Sequence, residues 1–264
     1  TMTTRSDLQE AYVQEGFLSP LPVLTQEELS DARLAFSRLE EQFGVEYTSY
    51  SLHNVHLKYD WVLALTQHPR VLDVVRAVLG PDVILLDSRF ICKYPALERD
   101  GGEEEELPYV AWHQDMKYWG IDGGPVLSVW LALDDSLQEN GALQVIPGNT
   151  RSYRVLTASG LLPHRSAVRP GNMLTVNQEI PEELVQAERA VLCPLLAGQM
   201  SVHDGLLVHA SDPNTSPNRR CGFVIRYVPT CAFPIEDSDR PRKFNAAVLA
   251  CGTDRFNHFS KTRL

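Results

Sequence analysis

Arg220-Cys-Gly-Phe-Val-Ile-Arg-Tyr-Val228 alternates with a period of two: Cys221, Phe223, Ile225 and Tyr227 are apolar, whereas Arg220, Gly222, Val224 and Arg226 share the other face. Successive side chains of a strand point to opposite sides, so the segment reads as a strand with an apolar core on one side and two arginines on the other. A buried charge without a counter-charge is too costly to keep. The arginines must therefore meet anions or carbonyl oxygens. Internal Asp or Glu partners and a bound dicarboxylate are both open, and for Arg226 they weigh equally.

The same period governs the chain around it. From about Asp82 onward short apolar runs are broken by Gly, Pro and Asn, and candidate strands cover 82–87, 89–94, 109–115, 125–134, 142–147, 171–176, 189–195, 199–209 and 219–229. Asn140-Gly141 is a hairpin signal between two of them. No helical pattern separates these runs to make parallel crossovers, so the expected class is mainly β, an antiparallel double sheet. In Val126-Leu-Ser-Val-Trp-Leu-Ala-Leu133 one face is aliphatic while the other carries Ser128, Trp130 and Ala132, which leaves room inside a barrel.

The N-terminal third reads as helical. Ser6 is placed to cap a short helix, and Thr25-Gln-Glu-Glu28 is a capping-box pattern opening a second one, whose Leu29, Ala32, Phe36, Leu39 and Phe43 share a face before Gly44 stops it. Proline at the first position and Gly80 past the end bracket another helix over 69–79. These helices are packing layers. Two stretches read as mobile: the acidic run 99–106, a solvated loop or a lid, and the tail after about Cys231.

With 264 residues and 44% apolar content the chain is expected to form one domain over 1–264. Its net charge of −10, without a Lys/Arg-rich run, argues against nucleic acid or an anionic membrane as partner and favours a small molecule. No obligate protein partner is inferred. Five widely spaced cysteines without a C-x-x-C pair read as reduced, mostly buried thiols, which, with no export signal or membrane span in view, suggests the cytoplasm.

The chemistry is carried by Trp112-His-Gln-Asp115 and Leu206-Leu-Val-His-Ala-Ser211. On a strand His113 and Asp115 project together, and His209 can return on a neighbouring strand. Two imidazoles and one carboxylate on one side of an ion form a facial triad that suits Fe(II); zinc fits the same donors. A dicarboxylate such as 2-oxoglutarate would give the arginine face its anion, one end chelating iron and the other taking a bidentate guanidinium.

These residues resemble the phytanoyl-CoA dioxygenase family, particularly its short bacterial members. The resemblance runs from about Leu52 to Pro229. It is carried by His56-Leu-Lys58, Leu79-Gly-Pro81, Cys92-Lys-Tyr-Pro95, Trp112-His-Gln-Asp115, Trp130-Leu-Ala-Leu133, Glu139-Asn-Gly-Ala-Leu143, Val145-Ile-Pro-Gly148, Met200-Ser-Val-His203, Val208-His-Ala-Ser211 and Arg219-Arg220, in that order. It implies a double-stranded β-helix, a cupin-like jelly roll, over 82–230, with the helices of 1–81 packed on one sheet and 231–264 as a tail. It further implies Fe(II), 2-oxoglutarate and O2, and oxidation of a small organic molecule with release of succinate and CO2.

Residue by residue, the resemblance puts His113, Asp115 and His209 at the iron, Arg220 rather than Arg219 on the cosubstrate, and Ser211, Trp130 and Lys93 around it. His203 competes with His209 for the third ligand place, and the offsets of Ser211 and Arg220 favour His209. Asp115 fills the position where halogenating relatives carry Gly or Ala, which leaves hydroxylation, desaturation, epimerisation and ring closure. Candidate substrate-side residues are His53, His56, Gln114, Tyr118 and residues of the loop 149–180, including Asn177 and Gln178. The expected substrate is a moderately sized molecule with apolar area, such as a secondary metabolite. The alternative is a cupin-like metal-dependent isomerase or hydrolase that ignores 2-oxoglutarate.

Overall fold

The computed structural model describes residues 4–96, 107–148, 159–236 and 243–262. Its helices are α1 (Arg5–Glu15), α2 (Gln26–Phe43), α3 (Val45–Tyr50), α4 (Asp60–Thr66) and α5 (Pro69–Leu79). The strands are β1 (Phe17–Pro22), β2 (Val83–Lys93), β3 (Val110–His113), β4 (Ile121–Asp122), β5 (Leu127–Ala132), β6 (Leu143–Ile146) and β7 (Arg165–Ser166), followed by β8 (Gln178–Glu179), β9 (Val191–Cys193), β10 (Gln199–Asp204), β11 (Val208–Ser211), β12 (Arg220–Pro229), β13 (Phe233–Pro234) and β14 (Val248–Cys251).

A six-stranded sheet in the order β1-β10-β5-β12-β2-β14 faces a four-stranded sheet in the order β3-β11-β6-β9. All of these pairings are antiparallel, as the jelly roll requires. The period of two works as expected on β12. Phe223 stacks on Phe90 of β2 at 4.5 Å, and Phe90 in turn meets Phe36 of α2 at 5.1 Å. Val71 and Val75 of α5 and Leu39 of α2 join the same buried cluster. The helices thus seal the outer face of the six-stranded sheet, whose inner face carries the arginines and other polar side chains beside an apolar cluster of Trp130, Ala132 and Val224. Register places Arg220 opposite Lys93, Val224 opposite Arg89 and Trp130, and Arg226 opposite Asp87 and Ser128 on that inner face.

The helix signals hold for α2, where Thr25 and Glu28 form the reciprocal capping box and the Gly44 N–H closes onto Glu40, and for α5, with Pro69 at its start. The first helix begins earlier than expected: Thr4, not Ser6, accepts the capping bond, from Asp7.

Several expected strands come out differently. Segments 82–87 and 89–94 are one strand, because the Ser88 hydroxyl bonds His56 in the helical layer instead of ending the ladder. Segment 199–209 is two strands in opposite sheets, turned at Gly205, whose N–H bonds Val126 O. Asn140-Gly141 does not make a hairpin, since β5 and β6 lie in different sheets; Asn140 instead ties a short turn through Leu137 N and Asp135 O. Segment 171–176 forms no strand beyond one bridge between Asn172 and Tyr109.

Residues 243–262 are not a loose tail: β14 extends the large sheet beside β2, and Phe259 is buried with Ala247 and Ile84. The acidic run 99–106 lies outside the described residues. Among the described residues no helix is long and apolar enough to cross a membrane.

Candidate metal and cosubstrate site

The pairing of β11 with β3 sets His209 directly opposite His113. Strand β3 ends at His113, but Gln114 stays extended, so Asp115 emerges on the same side as His113 while opening a short 3-10 turn. One atom from each of His113, Asp115 and His209 lies within 4.8 Å of the others, and all three residues are buried. His113 Nε2 is 3.1 Å and His209 Nε2 3.5 Å from Asp115 Oδ1.

Each imidazole is oriented by its other nitrogen. His113 Nδ1 donates to Ala111 O at 2.8 Å and His209 Nδ1 to Leu207 O at 2.9 Å. Those bonds fix the tautomer, leaving each Nε2 lone pair directed at the shared point, which is how metal-binding histidines are commonly held. The second oxygen of Asp115 faces Ser128 Oγ at 3.0 Å, His203 Nε2 at 3.3 Å and Arg226 Nη2 at 3.8 Å. Burial raises the Asp115 pKa, but His209, Arg226, His113 and His203 outweigh it and hold the carboxyl well below its ordinary range. Burial and the neighbouring His209 lower the pKa of His113, and the same causes push His203 down to about 4. Asp115 is thus kept as the carboxylate and His113 is biased toward the neutral imidazole, the forms in which they would bind a divalent ion.

Two residues along β11 from His209, Ser211 points to the same side, about 7 Å away at roughly 3.4 Å per residue. Lys93 Nζ donates to Ser211 Oγ at 2.6 Å and to Asp212 O at 2.5 Å. Opposite Lys93, the Arg220 guanidinium lies 5.0 Å over the Trp130 ring and donates to Gly141 O, while its buried Nε has no partner among the described residues. Both cations are 2% exposed, and no described carboxylate lies within ion-pair distance of either. Burial pushes Arg220 down to about 10, and burial together with the charge of Arg220 pulls Lys93 well below the ordinary lysine range. Arg219, by contrast, faces away and is spent on Asp134 at 2.7 Å and Glu40 at 2.6 Å.

The substrate-side expectations fare less well. His56 is buried with both nitrogens engaged, Nδ1 with Ser88 Oγ at 2.5 Å and Nε2 with Ala246 O at 2.9 Å, so it ties the helical layer to β2 and the C-terminal segment. Gln114 is also a strut. Its amide donates to Gly160 O and Leu206 O and accepts from Leu162 N, so both donor hydrogens and the carbonyl oxygen are engaged within the protein. His53 pairs with Asp87 at 2.5 Å. Asn177 and Gln178 belong to the small β7–β8 hairpin region, where their carbonyls accept from Ala167 N and Asn172 Nδ2. Tyr118 alone keeps a buried hydroxyl without a partner among the described residues, 6.1 Å ring to ring from His113.

Two glycines escaped the residue-type reading. Gly141 has φ +87°, which disfavours any side chain, and a Cβ there would lie 2.3 Å from Asp212 O and 3.0 Å from Lys93 Nζ. At Gly222 a Cβ would meet the Trp130 ring at 2.1 Å. The Asn-Gly pair and the lone glycine between two arginines were the signals available for them.

The family model described as "Phytanoyl-CoA dioxygenase (PhyH)" matches residues 12–222. The chain belongs to the phytanoyl-CoA dioxygenase family. Among family-like sequences, a "Probable alpha-ketoglutarate-dependent hypophosphite dioxygenase" of Stutzerimonas stutzeri is 24% identical, covering 70% of this chain and 58% of that protein. An "Ectoine dioxygenase" of Sphingopyxis alaskensis is 29% identical, covering 67% of this chain and 56% of the other. The chain thus spans rather more than half the length of these curated relatives. The solved structure of a non-heme monooxygenase, ThoJ in its apo form, superposes with a TM-score of 0.73 at 30% identity, covering 97% of this chain and 87% of that one.

Proposed function

We propose that the chain is an Fe(II)- and 2-oxoglutarate-dependent oxygenase acting on a small molecule, with His113, Asp115 and His209 as the iron ligands. The observation that carries this reading is that Lys93 and Arg220, two buried cations with no described carboxylate within ion-pair distance, sit opposite each other on β2 and β12, Arg220 over the Trp130 ring and Lys93 bonded to Ser211, two residues along β11 from the ligand candidate His209. Such a pair is expensive to bury unless an anion arrives. A molecule that joins a keto-acid chelate to a distal carboxylate satisfies both ends.

The donor set fits Fe(II), and once bound the iron would supply dioxygen activation, with 2-oxoglutarate converted to succinate and CO2 and a C–H bond of the substrate oxidised. The chain's own contribution is placement. Arg220 and Lys93 hold the far carboxylate, Ser211 orients Lys93, and Trp130 and Gly222 shape the floor. Ser128, His203 and Arg226 fix Asp115 so that Oδ1 faces the metal. Val224, Trp130 and Leu195 line the interior with apolar surface and keep water out. The carboxylate of Asp115 leaves no ligand place for a halide, which directs the reading to hydroxylation or a related oxidation, with a secondary metabolite as the expected kind of substrate.

The test is anaerobic addition of Fe(II) and then 2-oxoglutarate, following the weak visible charge-transfer band of bidentate chelation. The band is expected for the wild type and for His203→Ala, and is expected to be lost in His209→Ala and, at moderate cosubstrate, in Arg220→Leu. A protein that binds metal but never develops the band is an isomerase or hydrolase of the cupin kind instead.

A further inference from the structure

We propose that the cavity on the outer side of Asp115 is an anion subsite, so that the substrate carries a carboxylate-like group docked between Arg89 and Arg226. This rests on the metal-site reading above. The two arginines project from adjacent strands β2 and β12 on the inner face of the large sheet. Both line one cavity with Tyr50, Tyr118 and Trp119, and with Asp115 as its inner wall.

Neither guanidinium is used up. Arg89 gives one bond to Tyr50 O at 2.5 Å and lies 4.1 Å over the Tyr50 ring. Arg226 lies 5.4 Å over Trp119, and its Nε is buried without a partner among the described residues, as is the Tyr118 hydroxyl. Of the carboxylates lining the cavity among the described residues, Asp115 belongs to the metal and Asp87 is held by His53 at 2.5 Å. With Asp115 Oδ1 on the metal and its Oδ2 shared among Ser128, His203 and Arg226, both carboxylates of the cavity wall are already engaged, and donor N–H and O–H groups are still to satisfy. An oxyanion answers both the charge and the hydrogen bonds.

Size and position narrow the ligand. The cavity holds about 70 Å³, room for a head group and not for a whole secondary metabolite. Flat walls of Tyr50, Tyr118 and Trp119 suit a planar group beside the anion. Because Arg226 lies 3.8 Å from Asp115 Oδ2, an anion held there is close to the metal, and the carbon oxidised sits within a few bonds of the anionic group.

The experiment loads the protein anaerobically with Fe(II) and saturating 2-oxoglutarate and titrates it with acetate and benzoate and with their neutral amides, acetamide and benzamide. At least one carboxylate is expected to shift the charge-transfer band without erasing it and to bind about tenfold more tightly than its amide. Arg89→Gln is expected to keep the chelation band and to weaken that carboxylate about tenfold. The proposal is overturned if neither carboxylate binds, if the amides bind equally well, if Arg89→Gln changes nothing, or if the carboxylate erases the band by displacing 2-oxoglutarate. Absence of the band before any probe is added counts against the iron and 2-oxoglutarate reading alone. In that case calorimetry of the same probes with Zn(II)-loaded wild type and Arg89→Gln decides the subsite.

Discussion

Ser128 donates a 3.0 Å hydrogen bond to Asp115 Oδ2, the oxygen turned away from His113 and His209. The inner face of β5 thereby fixes which carboxylate oxygen faces the triad's centre. Hydrogen bonds of this kind typically account for ten- to hundredfold in metal affinity. Ser128→Ala keeps His203 and Arg226 at 3.3 and 3.8 Å, so a loss of about tenfold in Ni(II) or Fe(II) affinity is expected, with little change in thermal midpoint. Competitive chelator titration reads it, and unchanged affinity would assign Ser128 to packing alone.

Gly222→Ala is expected to damage the proposed cosubstrate site more than its single methyl suggests. The new Cβ would lie 2.1 Å from Trp130, and the indole that supports Arg220 must move. Overpacking of this sort costs about 1–3 kcal/mol. The expected outcome is a lower thermal midpoint and a markedly higher 2-oxoglutarate concentration for half-development of the charge-transfer band.

Lys93 gives a pH signature. Burial and Arg220 hold its folded pKa well below the value of about 10.4 that the unfolded chain shows. Between those two values the unfolded chain binds more protons, so stability of the free protein rises with pH across that interval. Lys93→Met is expected to lose this rise, and saturating 2-oxoglutarate to flatten it by giving the ammonium a counter-charge. Melting curves over pH, with and without cosubstrate, check both statements; identical pH dependence in wild type and Lys93→Met would refute them.

His56 is expected to matter for stability and not for ligand binding. Its folded pKa is lowered by burial, so the unfolded chain binds more protons below about pH 6.5 and stability falls as the pH drops through that region toward the folded value. His56→Ala leaves Ser88 and Ala246 O without their partner and is expected to cost about 1–3 kcal/mol while leaving the charge-transfer band in place.

The contrast between His56 and Arg220 explains how far residue order alone could go. Alternation on β12 and β5 displayed the core face, the inner face and Trp130, because a strand's two faces follow directly from its period. The caps of α2 and α5 are local chemistry and were equally readable. What failed was decided by distant partners. Gln114 and His56 became struts because Gly160, Leu206 and Ala246, far along the chain, offer their carbonyls. Phe17–Pro22, with two prolines, gave no strand pattern, yet it pairs at the sheet edge, where missing N–H groups are tolerated. The role of Arg226 followed from register, which sets it beside Ser128 and so against Asp115.

The most direct test is anomalous diffraction at the iron edge from a crystal prepared anaerobically with Fe(II) and 2-oxoglutarate. The expected peak is bonded by His113 Nε2, Asp115 Oδ1 and His209 Nε2, with the cosubstrate's far carboxylate on Arg220 and Lys93. Iron bonded by His203 in place of His209, or a cosubstrate carboxylate away from Arg220, would contradict the account.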